Sequence, residues 1–328
     1  MRPFPLPDRM LIIAEIGNNH EGDFGRAQAL VEAAARAGAD AVKFQSFRTD
    51  RFISRRNPQR FEQLKRFELS ADQFRSLARQ ARQLGIGCFT TPLDLETAAA
   101  LGAEMDALKI ASGDNRFLPL IEQAIRSGKP LILSCGASTE TEIRRTVDFI
   151  GDRAELALLH CVSAYPVQPA DAHLRVIPRL RQLFPELPIG YSDHTEGNTA
   201  PLLAVALGAR IIEKHFTLDK NLSDFRDHRL SADPEQMRAL VEGIRTASAM
   251  LGRPEKEIQP CEAPVREAAR RGTAAGRDLP EGAALAAEDL VWLRHLPGVE
   301  SEALPHLLGK RLKRPVSLGE PITREDLL

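Results

Sequence analysis

Eight short apolar runs, each followed by a stretch with helical spacing, recur from Met10 to about Leu251. They are MLIIAEIG (10–17), DAVKFQ (40–45), IGCFTT (86–91), DALKIAS (106–112), PLILSCG (130–136), ELALLHCV (155–162), LPIGYS (187–192) and RIIEKHF (210–216). Amphipathic segments such as RAQALVEAAARAGA and ADQFRSLARQARQLG lie between them, several closing on a glycine as helices do. Strict alternation predicts parallel strands joined by right-handed crossovers. Eight such units over roughly 250 residues are the size of a (β/α)8 TIM barrel of the α/β class. The competing architecture is an open doubly wound sheet. No GxGxxG follows the first run, which argues against a dinucleotide site.

Polar residues gather at the C-terminal ends of these runs, where barrel enzymes carry their chemistry. Strand alternation then sorts the side chains. Lys43 and Gln45 share a face opposite Val42 and Phe44, and Lys109 lies opposite Leu108 and Ile110. Ser192 shares a face with His194, and Glu213 with His215, while Lys214 points away. The polar sets can therefore all point into the barrel mouth. His194 and His215 each close a run, and neutral imidazole is a favoured ligand of divalent metals. Two lysines beside such a pair suit an anionic substrate. The bland reading of a single strand-end histidine is a hydrogen-bonded structural residue. His20, in the NNHEG loop after the first run, fits that reading as well as a functional one.

Beyond Gly252 the texture changes. The stretch 254–269 carries Pro254, Pro260 and Pro264 among charges and reads as a linker between a barrel over 1–253 and a compact tail over 270–328. Two similar phrases in the tail, DLPEGAALAAEDL and PVSLGEPITREDL, predict a small β-rich module with pseudo-repetition. Lys plus Arg (44) nearly balances Asp plus Glu (45), so no global charge points to nucleic acid or a membrane. The N-terminus MRPFPLPDRM has no apolar core and does not read as a signal peptide, and no run approaches a membrane span. The four cysteines show no CxxC spacing, which fits a reducing cytoplasm.

The motifs IAEIGNNHEG (13–22), VKFQ (42–45), KIASGD (109–114), YSDHT (191–195) and EKHFT (213–217), taken in order, resemble the sialic acid synthase family of phosphoenolpyruvate-dependent nonulosonate synthases. The resemblance covers nearly the whole chain, and the tail is similar to the family's antifreeze-like (SAF) domain. It implies condensation of phosphoenolpyruvate with an N-acylated amino sugar aldehyde, with water joining and phosphate leaving by C–O cleavage. It also implies a divalent metal (Mn²⁺, Mg²⁺ or Co²⁺) between His194 and His215. Phosphoenolpyruvate contacts would fall on Lys43, Thr91, Lys109, Ser112, Ser134, Ser163 and Ser192. Glu15 would lie near the metal and the aldehyde, with Glu213 as a second catalytic carboxylate. Sugar contacts would fall on Gln45, Asp114, Tyr165 and Asp227. In a domain-swapped homodimer, Arg294 in the tail would reach the partner's sugar.

The chain departs from the family pattern at three places. Ser163 in HCVSAYP stands where Asn is usual, and Asp114 where Glu often follows SG. The loop SDFRDHRLS keeps Asp227 but has Phe225 and Arg226 for a Gly-Pro pair, which predicts a narrower, more polar sugar pocket. Three other readings compete. One is a synthase acting on a sugar phosphate, for which Arg116 and Arg226 are the candidate phosphate ligands. Another is a metal-free Schiff-base aldolase using Lys43 or Lys109. The third is a non-catalytic carbohydrate-binding protein, which leaves the paired histidines and lysines without purpose.

Overall fold

The computed structural model describes residues 9–296 and 299–328. Residues 1–8, which hold most of the segment read above as no signal peptide, lie outside them, as do Pro297 and Gly298. The chain divides into two compact units after Gly252.

In the first unit, β1 (Leu11–Gly17), β2 (Ala41–Ser46), β3 (Gly87–Pro92), β4 (Ala107–Ile110), β5 (Leu131–Ser134), β6 (Leu156–Cys161), β7 (Ile189–Asp193) and β8 (Ile211–His215) form a closed barrel in chain order. The eight apolar runs are these eight strands. Several helices begin where the sequence supplies caps. Ser70 and Thr139 accept from the N–H groups of Gln73 and Glu142, whose side chains bond back to the cap.

Alternation splits every strand between two environments. Ile12, Val42, Phe44, Leu108, Ile110 and Ile212 pack outward in the layer shared with the helices. Ile13, Ala41, Phe89, Ala107, Ile132, Ala157, Leu159 and Ile211 fill the barrel interior. On six of the strands the inward position two residues further along turns polar: Glu15 after Ile13, Lys43 after Ala41, Thr91 after Phe89, Lys109 after Ala107, Ser134 after Ile132, Glu213 after Ile211. The mouth is thus a polar layer seated on an apolar plug. A register shift in β1 between Glu15 and Gly17 re-aims that strand end at the rim. Among the described residues no helix is long and apolar enough to cross a membrane.

The second unit pairs β9 (Arg271–Ala275) with β10 (Leu290–Arg294) antiparallel. Ala275, Leu279, Leu285, Leu290, Leu312, Val316 and Ile322 are among its core. The pseudo-repetition is physical. Arg277 Nε donates to Asp289 Oδ1 at 2.8 Å, and Arg314 Nε to Asp326 Oδ1 at 2.7 Å. Both members shift by 37 positions (277 to 314, 289 to 326). On the pseudo-axis, Leu279 and Val316, again 37 apart, exchange backbone bonds of 2.8 and 2.9 Å. The expected linker is not wholly irregular: Ala263–Ala269 forms a helix with no buried residue.

Gly190 lies where β7 meets its neighbours most closely. A Cβ there would sit 2.5 Å from both the Ile211 carbonyl oxygen and Leu159 Cδ2. Gly190→Ala is expected to lower stability by about 1–3 kcal/mol through overpacking, read as a shifted denaturant midpoint at unchanged slope.

Candidate active site

Four charged side chains meet at the mouth, all nearly inaccessible to solvent. Register sets Glu15 opposite Lys43 across β1 and β2. Lys43 Nζ is 3.0 Å from Glu15 Oε2 and 3.7 Å from Glu213 Oε2, and it donates to Thr91 Oγ1 at 2.8 Å. Lys109 Nζ is 3.5 Å from Glu213 Oε1, which also accepts from Ser192 Oγ at 2.9 Å. The two carboxylates are pushed apart. Burial holds Glu15 above the usual carboxylate range, with Lys43 opposing. Burial would raise Glu213 too, but Lys109 and Lys43 outweigh it and pull its carboxyl down to about 2. Burial lowers the Lys109 ammonium below its ordinary range, with Glu213 opposing.

His194 and His215 follow on the same inward face, their ring centres 5.3 Å apart. His194 Nδ1 lies 2.9 Å from the Val162 carbonyl oxygen and donates to it, so Nε2 is the nitrogen that offers a lone pair once its proton is lost; burial would lower the ring's pKa, but Cys161 and that carbonyl outweigh it and raise it. Burial, then His194 and Lys43, hold His215 well below its ordinary pKa, so it is neutral with a lone pair. Two imidazoles at this spacing fit one divalent cation, whose binding would displace the proton from His194. No cluster of three or more His, Cys, Asp or Glu ligands occurs among the described residues, so other positions on such an ion would fall to water or substrate.

The hydroxyls gather beside this core. Ser134 Oγ is buried without a partner. Ser112 Oγ accepts from the Gly136 N–H at 3.1 Å. A Cβ on Gly136 would lie 2.7 Å from Ser112 Oγ and 2.4 Å from Ser163 Oγ, so both serines face the space that this glycine leaves open. The Tyr165 ring sits 4.1 Å from His194, and the Arg226 guanidinium lies 4.8 Å above it. Arg226 Nε donates to the buried Asp227 at 3.2 Å. Gln45 accepts from Asn18 at 2.7 Å on the rim, and Asp114, half-buried, lies in a turn after β4.

Two expectations change. Phe225 does not narrow the pocket: it turns into a cluster with Phe47, Leu64 and Phe67, where apolar burial outweighs exposure at the rim. Arg226 is the residue of that pair that meets Tyr165. Arg116 is committed to Glu142 at 2.6 Å and is exposed, so it makes a poor phosphate ligand. Arg294 is exposed at the end of β10 in the second unit.

Sequence reasoning missed what holds the Asp227 loop. His228, fully buried, places Nδ1 2.7 Å from Thr217 Oγ1 and Nε2 3.0 Å from Glu21 Oε1. Ser223 also donates to Glu21. Asn19 donates to the Phe216 carbonyl and to Ser231 Oγ at 2.8 and 3.0 Å. The NNHEG loop therefore latches the loop that carries Arg226 and Asp227. His20 is separate: its Nδ1 accepts from the Gly22 N–H at 3.0 Å, and burial drops its pKa to about 4. It is a neutral structural residue.

Known proteins resemble the chain across both units. Residues 30–256 match the model of the NeuB family and residues 270–328 that of the SAF domain. The chain is 38% identical to the N,N'-diacetyllegionaminic acid synthase of Legionella pneumophila, over 96% of this chain and 94% of that one. It is 33% identical to the N-acetylneuraminate-9-phosphate synthase of Homo sapiens, over 96% and 91%. The crystal structure of the N-acetylneuraminic acid synthetase of Leptospira borgpetersenii, in complex with citrate, superposes with a TM-score of 0.74 at 37% identity. It covers 79% of this chain and 90% of that one.

Glu21→Ala removes the acceptor shared by His228 and Ser223. Amide hydrogen exchange over 217–231 is expected to accelerate while β1–β8 stay protected; unchanged protection there would count against the latch.

Proposed function

The chain belongs to the NeuB family, and on that premise we propose that it is a phosphoenolpyruvate-dependent nonulosonate synthase acting on an N-acylated amino sugar. The observation that carries the reading is the Lys43, Lys109, Glu15 and Glu213 quartet beside two paired histidines. Lys43, Lys109, Thr91, Ser134 and Ser192 supply donors for a phosphate and a carboxylate, and Ser112 and Ser163 extend the row around Gly136. In the quartet itself, however, two ammonium groups already face two carboxylates. An incoming polyanion needs further positive charge, and the histidine pair supports a site for it.

A divalent metal ion (Mn²⁺, Mg²⁺ or Co²⁺) held by His194 and His215 would act as a Lewis acid on the aldehyde oxygen of the open-chain sugar. Glu15, which burial makes readier than an ordinary carboxylate to take up a proton, is suited to pass one to the new alkoxide once phosphoenolpyruvate has added its negative charge. Glu213 stays ionised and orients Lys109 and Ser192. Divergent environments thus give two nearby carboxylates different roles. Tyr165, Arg226, Asp227, Gln45 and Asp114 form the sugar end. Asp114, Ser163 and Arg226 of the 223–231 loop would shift acceptor preference away from plain N-acetylmannosamine. Arg294 of a second copy would complete that end in a swapped homodimer. Its exposure on β10 leaves it available.

A second reading, a Schiff-base aldolase, is favoured by one observation, the depressed Lys109 ammonium. Borohydride reduction with pyruvate, the keto acid donor an aldolase would use, followed by mass spectrometry, separates the two, because only the aldolase leaves an adduct on lysine. The main reading is tested by phosphate release across a panel of N-acyl hexosamines. Turnover is expected to vanish after chelation and return with Mn²⁺, Co²⁺ or Mg²⁺. Full activity of His215→Ala in chelator would refute the metal. Lys109→Ala is expected to raise the phosphoenolpyruvate KM by the equivalent of about 2–5 kcal/mol, since it leaves Glu213 short of a counter-charge. A KM near that of the unsubstituted chain would remove Lys109 from the anion site.

A further inference from the structure

The outward faces of the barrel strands are mostly apolar, with polar groups at Ser46, Thr90, His160 and Tyr191. Among the described barrel residues, charges face the helix layer only on β7 and β8, at Asp193 and Lys214. These residues immediately precede His194 and His215, so each points away from the mouth while its neighbour points into it. Lys214 Nζ lies 2.7 Å from Asp193 Oδ2, with the side chains 1% and 0% exposed. The other Asp193 oxygen accepts from the Thr195 N–H at 2.9 Å and from Tyr191 OH at 3.0 Å. Lys214 also donates to the Thr195 carbonyl. Both peptide groups of the residue after His194 are therefore tied to side chains on the far side of the sheet, one of them carried by the strand that bears His215.

A buried ion pair is a poor source of stability, because desolvation cancels most of its attraction and apolar residues of similar size often serve as well. Its directionality is what an apolar pair cannot reproduce. We propose that Asp193 and Lys214 are positioning residues of the metal site: they cross-link β7 to β8 from behind and fix the separation and orientation of His194 and His215. The proposal rests on the reading that these two histidines hold a divalent ion. The outer pair sets the backbone from which both imidazoles project, as hydrogen-bonded second partners orient metal ligands elsewhere. Tyr191 holds Asp193 in the rotamer that the clamp needs.

The test is Mn²⁺ binding by the full chain after chelator treatment, followed by the paramagnetic resonance of free Mn²⁺. Thermal unfolding of the same samples is measured alongside. Asp193→Asn combined with Lys214→Met removes both charges together, leaving no unmatched ion. Its Mn²⁺ Kd is expected to rise about 10–100-fold while cooperative unfolding is kept. Tyr191→Phe, a milder change, is expected to raise Kd about 2–5-fold, and it decides the matter if the double variant does not fold. A folded double variant, or Tyr191→Phe in its absence, with an unchanged Kd overturns the clamp and leaves the metal reading standing. An unsubstituted chain that binds Mn²⁺ no better than His194→Ala/His215→Ala overturns both.

Discussion

Two lysines and two glutamates share one water-poor layer, and the rest of the barrel is built around that fact. Each ion alone would be costly to desolvate. Together they neutralise one another over 3.0–3.7 Å, with Thr91 and Ser192 taking up further bonding capacity. The apolar plug beneath, from Ile13 round to Ile211, keeps the layer dry from below. That dryness raises Glu15, lowers Lys109 and keeps His215 neutral. In the proposed reaction these are the properties that bind a polyanion and move a proton. The chemistry depends on the plug as much as on the charges.

Much of this was legible in the sequence because it follows a period of two. Once eight strands are recognised, parity alone sends Lys43, Lys109, Glu213, Ser192 and both histidines inward and Lys214 outward, as the structure has them. What parity does not reach is contact between segments far apart in the chain. The bond from His228 to Glu21 spans 207 positions, and neither residue belongs to a periodic run. Phe225 was misread for a related reason. Its bulk suggested obstruction, but a loop residue has no period to fix its direction, and a nearby trio of apolar side chains drew it away. Asp193 points outward by the same alternation, but its partnership with Lys214 depends on the register between β7 and β8.

The proposed acceptor end is built differently. Tyr165, Arg226 and Asp227 come from loops after β6 and β8, and the second loop is held by the NNHEG turn after β1. Barrel closure brings the first and last strands side by side, which makes that latch possible. Ser163, Asp114 and Arg226, where the chain departs from the family pattern, all lie in such loops, outside the quartet.

The neutral quartet also shapes how such a protein can change over generations. Replacing any one of its four members by an uncharged residue leaves a net charge buried in the barrel. A lineage altering this layer must pass through a strongly destabilised intermediate or change two residues together. The rim has no such parity: a serine for an asparagine, or an arginine for a proline, leaves nothing unmatched inside. Variation among related chains should therefore accumulate at the sugar end while the charge layer moves only in compensated pairs. A barrel of this kind acquires new acceptors far more readily than new donors.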